Sequence, residues 1–170
     1  MNVLLLGDCC GKTSFVKQLQ RHYSERSRDC KTEVTIGFEM QEVQMINDVF
    51  FVWDSSSSLQ LERNYLLPMV QKKGDYILVM FAIDSKHSYE MACAQIRWIR
   101  YIRGTDFPLL LVGNKSDLPH VISNIDIEIL RREQNISYCE ISAKEDVCTL
   151  FPFLWILHKM RAKKMLNNVK

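Results

Sequence analysis

The chain has 170 residues, 47% apolar and 25% charged, with a formal net charge of +2. That length suits one globular domain with a real core. The near balance of charge excludes an electrostatic nucleic-acid binder, and the six cysteines lack the paired spacing of a zinc site or disulfide framework. They read as reduced thiols of a cytoplasmic protein.

Residues 3–6 form the first short apolar run, as expected of a strand buried on both faces. It leads into Gly7-Asp8-Cys9-Cys10-Gly11-Lys12-Thr13-Ser14 and a helical period over about 12–23. A strand, a glycine loop and a helix start are the setting of a phosphate cradle. Backbone N–H groups converge there at a helix N-terminus. Lys12 would reach phosphate oxygens, and the Thr13 hydroxyl would meet Mg²⁺. The usual motif has four residues between its glycines. Only Asp8, Cys9 and Cys10 stand between these, so one amide donor is lost or the turn is tighter.

Residues 38–45 alternate in polarity and predict an edge hairpin with 49–53, turning at Asn47-Asp48. Further strand-like runs cover 76–83, 109–112 and 136–141. Helical periods fall at about 59–72, 87–103, 124–134 and 147–164. This order predicts a three-layer α/β fold, a six-stranded, mostly parallel sheet with one antiparallel edge strand and five helices, as one domain over 1–170. Ligands of such sheets bind beyond the carboxyl ends of the strands. The unusual motifs all lie there.

Asn114-Lys115-Ser116-Asp117 leaves one strand end and Ser142-Ala143-Lys144 leaves another. The Asp117 carboxylate can accept from both N1–H and the 2-amino group of guanine, a pairing adenine cannot offer. Asn114 can brace the loop and meet N7, the Lys115 stem can cover the base, and a backbone N–H of 142–144 can meet O6. With the phosphate loop upstream, the pattern predicts GTP or GDP with Mg²⁺.

On these motifs the chain resembles a small GTPase of the Ras superfamily, and within it the Arf-like branch. Thr35-Ile36-Gly37-Phe38-Glu39 is similar to an Arf first switch, and its distance to Trp53-Asp54 matches that branch. Asn114–Pro119 is similar to the Arf "NKxDLP". The resemblance implies that Thr35, with Thr32 as the alternative, meets Mg²⁺ and the γ-phosphate, and that Asp54 contacts Mg²⁺ through water. It implies an effector surface that includes Phe38 and Trp53, although sheet packing also accounts for Trp53. Pro68 falls at a further effector position that is aromatic in the family. Exchange factors and GTPase-activating proteins are implied partners.

The resemblance breaks after Asp54. Arf proteins continue Val-Gly-Gly-Gln; here the residues are Ser55-Ser56-Ser57-Ser58. Ser57 replaces a glycine whose backbone meets the γ-phosphate, and Ser58 replaces the glutamine that orients the attacking water. Gln60 lies two positions late. No catalytic residue is therefore assigned. The expectation is a monomeric GTP-binding switch with weak or absent hydrolysis, in intracellular or ciliary trafficking. Two alternatives are a GTPase whose partner supplies catalytic groups, and a nucleotide-free scaffold. Signals for myristoylation and prenylation are absent, which predicts no lipid anchor and membrane association through partner proteins. Lys159, Arg161, Lys163 and Lys164 read as complements to a helix dipole, with an acidic membrane surface as the alternative.

Overall fold

The computed structural model describes residues 1–23, 38–45, 47–55 and 63–168. Thr32, Thr35, Ser56, Ser57, Ser58 and Gln60 lie outside them, as does the side chain of Phe38. The strands are β1 (Asn2–Leu6), β2 (Phe38–Met45), β3 (Asp48–Ser55), β4 (Tyr76–Ala82), β5 (Leu109–Asn114) and β6 (Ser137–Glu140). The helices are α1 (Lys12–Tyr23), α2 (Arg63–Pro68, continued by a π-helical turn Met69–Lys73), α3 (Lys86–Arg103), α4 (Asn124–Gln134) and α5 (Phe151–Asn168).

One sheet holds all six strands in the order β2-β3-β1-β4-β5-β6. The β2–β3 pair is antiparallel and every other pair parallel. The uniform apolar runs are explained by burial on two faces. Val3 and Leu5 point into a cluster with Phe15, Val16 and Leu19 of α1 and Phe153, Ile156 and Leu157 of α5. Leu4 and Leu6 point the other way, toward Leu66 and Val70 of α2, Ile96 and Ile99 of α3, and Ile127 and Leu130 of α4. Each such side chain contributes about 1.5–3 kcal/mol on burial, so both helical layers are fastened to the sheet. In the first cluster Phe153 packs 5.1 Å from Phe50 and 6.2 Å from Phe15, ring centre to ring centre.

Three boundaries differ from the sequence expectation. The hairpin ladder runs to the pair Met45↔Asp48, so Asp48 belongs to the strand and not to the turn. Proline offers no N–H to a helical ladder. After Pro68 the helix widens, and Gly74 N–H reaches back five residues to Met69 O at 3.0 Å. The last helix starts at Phe151 and not near 147. Before it, Val147 exchanges backbone bonds with Ser142 at 2.9 and 3.0 Å, and Asp146 and Cys148 have φ of 56° and 55°.

The helix ends are capped as their residues allow. Ser123 accepts from Asp126 N–H at 3.1 Å, and Asn135 takes the left-handed conformation that closes α4. The Arg100 guanidinium then ties α3 to α4, donating to the carbonyls of Gln134, Asn135, Gly104 and Phe107. The chain leaves β1 toward β3 on one side and returns to β4 on the other, so the sheet order reverses at the carboxyl end of β1. That is the crevice where ligands of open α/β sheets bind.

Candidate functional site

The loop after β1 accommodates its short length through its backbone. Gly7, Cys9 and Gly11 have φ of 138°, 46° and 82°. Alternating left-handed residues turn successive N–H groups inward to form a concavity suited to anions. Glycine is required at the first position. A Cβ on Gly7 would stand 2.1 Å from Met80 O and 2.7 Å from Cys10 Sγ.

Cys10 lies under the loop as compact filler. Burial pushes its thiol up to about 11, which leaves it protonated at neutral pH and argues against a redox switch there. Two further side chains brace the loop from α3, and the sequence pattern gave no hint of either. Ser88 Oγ donates to Asp8 O at 3.0 Å and accepts from Ala82 N–H at 3.1 Å. His87 Nε2 lies 3.6 Å from the Asp8 carboxylate.

Lys12 is buried, and its ammonium donates to Gly7 O at 2.6 Å. Its side chain therefore folds back onto the start of the loop. Thr13 Oγ1 donates to Asp54 Oδ2 at 2.5 Å. This brings two oxygen donors together from α1 and β3, a donor set that suits a hard cation such as Mg²⁺. Ser55, also buried, donates its hydroxyl to Leu5 O at 2.8 Å and so closes the end of β3 against β1. Ser14 follows in the first turn of α1.

The segments after β5 and β6 meet this loop through one side chain. Asn114 Nδ2 donates to Cys10 O at 2.7 Å, and Asn114 Oδ1 accepts from Ala143 N–H at 3.0 Å. A single buried amide therefore joins all three strand-end segments. Beside it, Ser142 Oγ donates to Asp117 Oδ1 at 2.6 Å and accepts from Glu145 N–H at 3.1 Å. That hydroxyl, with smaller help from the Lys144 and Lys115 charges, holds the Asp117 carboxyl below its ordinary value. It is ionised at neutral pH and faces solvent. Glu145 holds the Lys144 ammonium above its usual range and pairs with it at 2.9 Å.

Lys115 has φ of 68°, and its ammonium reaches Asp84, at the end of β4, at 3.2 Å. Its stem is thereby stretched across the gap between the two strand ends. Asp84 is the partner that sequence reasoning missed, although its place at a strand end was visible.

Trp53 stands apart from these groups. It is half-buried, donates Nε1–H to Asn2 Oδ1 at 3.0 Å, and carries the Lys73 ammonium 4.6 Å above its ring. Much of the ring is thus engaged in packing within the protein.

The converging strand ends thus comprise a concave amide loop with a lysine and a threonine, a strand-end carboxylate beside that threonine, and a fixed exposed carboxylate on a bracing asparagine loop. A family model described as Ras family matches residues 2–162. Members of that family bind guanine nucleotide with Mg²⁺ and act through effectors, exchange factors and GTPase-activating proteins. The chain belongs to the Ras family and is a small GTPase of the GTP-binding switch class.

Proposed function

We propose that this chain is an Arf-like guanine-nucleotide switch, similar to the divergent Arf-like protein sixteen, that holds GTP and hydrolyses it weakly or not at all. The observation that carries the reading is the Asn114 amide, bonded at once to the phosphate-type loop and to the Ser142–Lys144 segment. It fixes the distance between a phosphate end and a base end.

In this reading the amides of Gly7–Ser14 and the Lys12 ammonium take the phosphates. Lys12 exchanges Gly7 O for phosphate oxygen. Asp117 takes N1–H and the 2-amino group of guanine, Asn114 and the Lys115 stem flank the base, and backbone of Ser142–Lys144 meets O6. Thr13 would hold Mg²⁺ directly, Asp54 through water and Thr35 from the first switch. Bound there, the ion supplies charge neutralisation to the phosphates. Phe38 and Trp53 belong to the effector-facing strands. A role in intracellular or ciliary trafficking follows the Arf-like resemblance.

Weak hydrolysis rests on the serine run. Ser55 is occupied by Leu5 O, and serine at position 58 cannot span both a water and a γ-phosphate as glutamine does. Intrinsic rates in Ras-type proteins are already about 10⁻⁴ s⁻¹, and the expected single-turnover rate here is lower.

The test is to denature the purified protein, identify the released nucleotide by chromatography, and then time hydrolysis of loaded GTP. Near-stoichiometric GTP with slow decay is expected, together with faster decay in a Ser57→Gly/Ser58→Gln variant. An empty site that also refuses GTP with Mg²⁺ overturns the proposal and leaves a scaffold. Rapid hydrolysis by the unaltered chain overturns the weak-turnover half alone.

A further inference from the structure

The last turn of α1 carries a side chain that the nucleotide reading leaves unused. His22 Nε2 lies 2.9 Å from Asp146 Oδ1 and 2.8 Å from Oδ2, a contact between residues 124 positions apart. Asp146 stands two residues beyond Lys144, in the loop that Ser142 and Val147 close with backbone bonds of 2.9 and 3.0 Å. Its φ is 56°, and three side chains converge on its carboxylate. Thr149 Oγ1 donates at 2.5 Å, Gln18 donates from one turn before His22, and His22 completes the set.

These bonds tie the loop at both ends. Helix α1 opens with Lys12 and Thr13 and is fixed in the core by Phe15, Val16 and Leu19. Its far end grips Asp146. At the other end of the loop, Ala143 N–H goes to Asn114, and the Ser142 hydroxyl holds Asp117 at 2.6 Å. The backbone of 142–144 therefore lies between one anchor on the Asn114–Asp117 segment and another on α1.

We infer that, on the guanine-nucleotide reading above, His22 is a positioning residue of the base site: its imidazolium, clasped to Asp146, keeps the Ser142–Val147 loop closed and slows nucleotide release. Asp146 is held below its ordinary value, chiefly by the Thr149 hydroxyl, then by His22 and Gln18, so it is ionised from about pH 5 to 8. Histidine gains its proton toward the acid end of that window. The contact is an ion pair there. Toward the alkaline end it is a hydrogen bond from a neutral ring, and the loop is held less firmly. Neighbouring charges are engaged elsewhere. Arg21 donates to Gln18 at 3.3 Å, and Lys144 pairs with Glu145 at 2.9 Å. Strand β2 and helix α5 meet α1 through the apolar Val43, Met45, Phe153 and Ile156. Asp117 keeps its charge throughout, since its carboxyl is also held low. Both partners of the contact are 34% exposed, so the added charge changes loop closure by about twofold to fivefold.

The test is release of fluorescently labelled GDP from the loaded chain into excess GTP with Mg²⁺, between about pH 5.5 and 8. The quantity read is the ratio of the His22→Gln rate to that of the unaltered chain at each pH. It cancels the titration of the phosphates and of His87 and His120, which face Asp8 and Glu140 at 3.6 Å. A ratio of about two to five at the acid end, falling toward one at the alkaline end, is expected. In an Asp146→Asn background, His22→Gln should change nothing. A ratio that is the same at every pH overturns the inference, because His22 then only packs. So does an undiminished ratio in the Asp146→Asn background. A chain that takes up no nucleotide fails the guanine reading instead, and the contact is then read on the bare protein by hydrogen exchange. At about pH 5.5 the amides of 142–149 should exchange about twofold to fivefold faster in His22→Gln than in the unaltered chain. Equal exchange overturns the inference.

Discussion

The sharpest perturbation is Asn114→Ala. The amide is 2% exposed and makes two bonds, to Cys10 O at 2.7 Å and from Ala143 N–H at 3.0 Å. Truncation strands one backbone carbonyl and one backbone N–H inside the protein. Each such orphan costs about 1–3 kcal/mol, so the sum is about 2 kcal/mol if water enters the gap and about 6 if it does not. At roughly 2–4 °C per kcal/mol for a chain of this size, the midpoint falls by about 4–24 °C. The assay is thermal unfolding by circular dichroism at fixed nucleotide concentration, with GTP affinity measured on the same samples. Asn114→Asp separates bonding from volume. Its carboxylate fills the space and still accepts from Ala143, but it faces the Cys10 carbonyl with negative charge, so it should destabilise at least as much. A fall under about 2 °C for both variants, at most about 1 kcal/mol, would refute the idea that this amide holds the three segments together.

Three other outcomes follow from the same geometry. In the proposed reading Asp117→Asn weakens two charge-assisted acceptor bonds to guanine of about 1.5–3 kcal/mol each, an expected loss of about 10²–10⁴-fold in GTP affinity. The new amide donor should favour xanthosine triphosphate, whose ring carries a carbonyl at that position, and competition binding reads both. Ser142→Ala releases Asp117 from the hydroxyl that depresses its pKa. In the proposed reading the carboxylate is the binding form, so on acidification the variant should lose GTP affinity at a higher pH than the unaltered chain. Gly7→Ala forces a Cβ to within 2.1 Å of Met80 O at a φ of 138°; it should destabilise by about 4 kcal/mol or more, seen as loss of soluble protein or a collapsed unfolding midpoint.

The sheet was legible because its strands are buried on both faces, and such burial leaves unbroken apolar runs. Helices α1 and α4 were equally clear, from the helical periods at about 12–23 and 124–134. The start of α5 was not. Val147 and Leu150 continue the helical period, while the backbone at Asp146 and Cys148 turns left-handed. An aspartate or a cysteine in a helical period does not by itself announce such a turn. The site divides in the same way. Its residue types and strand-end positions could be read in order along the chain. The bonds that join them could not, since Asn114 and Cys10 are separated by 104 residues. Nor could the clamp of Ser142 on Asp117, which depends on where β6 ends beside β5. The left-handed Cys9 that accommodates the shortened loop belongs with these.

In the proposed reading, binding and turnover rest on different parts of the protein. The Gly7–Thr13, Asn114–Asp117 and Ser142–Lys144 segments hang from β1, β5 and β6, and buried hydrogen bonds lock them to one another. The serine run follows β3 in the chain. Its first member, Ser55, is spent on Leu5 O, a contact that holds Asp54 at the strand end beside Thr13. Ser55 is therefore a structural residue on the Thr13–Asp54 side, and in the Arf-like reading the three serines beyond it replace the glycine and glutamine positions. On that reading, a substitution in those three should change hydrolysis without loosening the Asn114 bridge. Binding kept by a cross-braced frame, with turnover lost through the serines at positions 57 and 58, is what that reading expects.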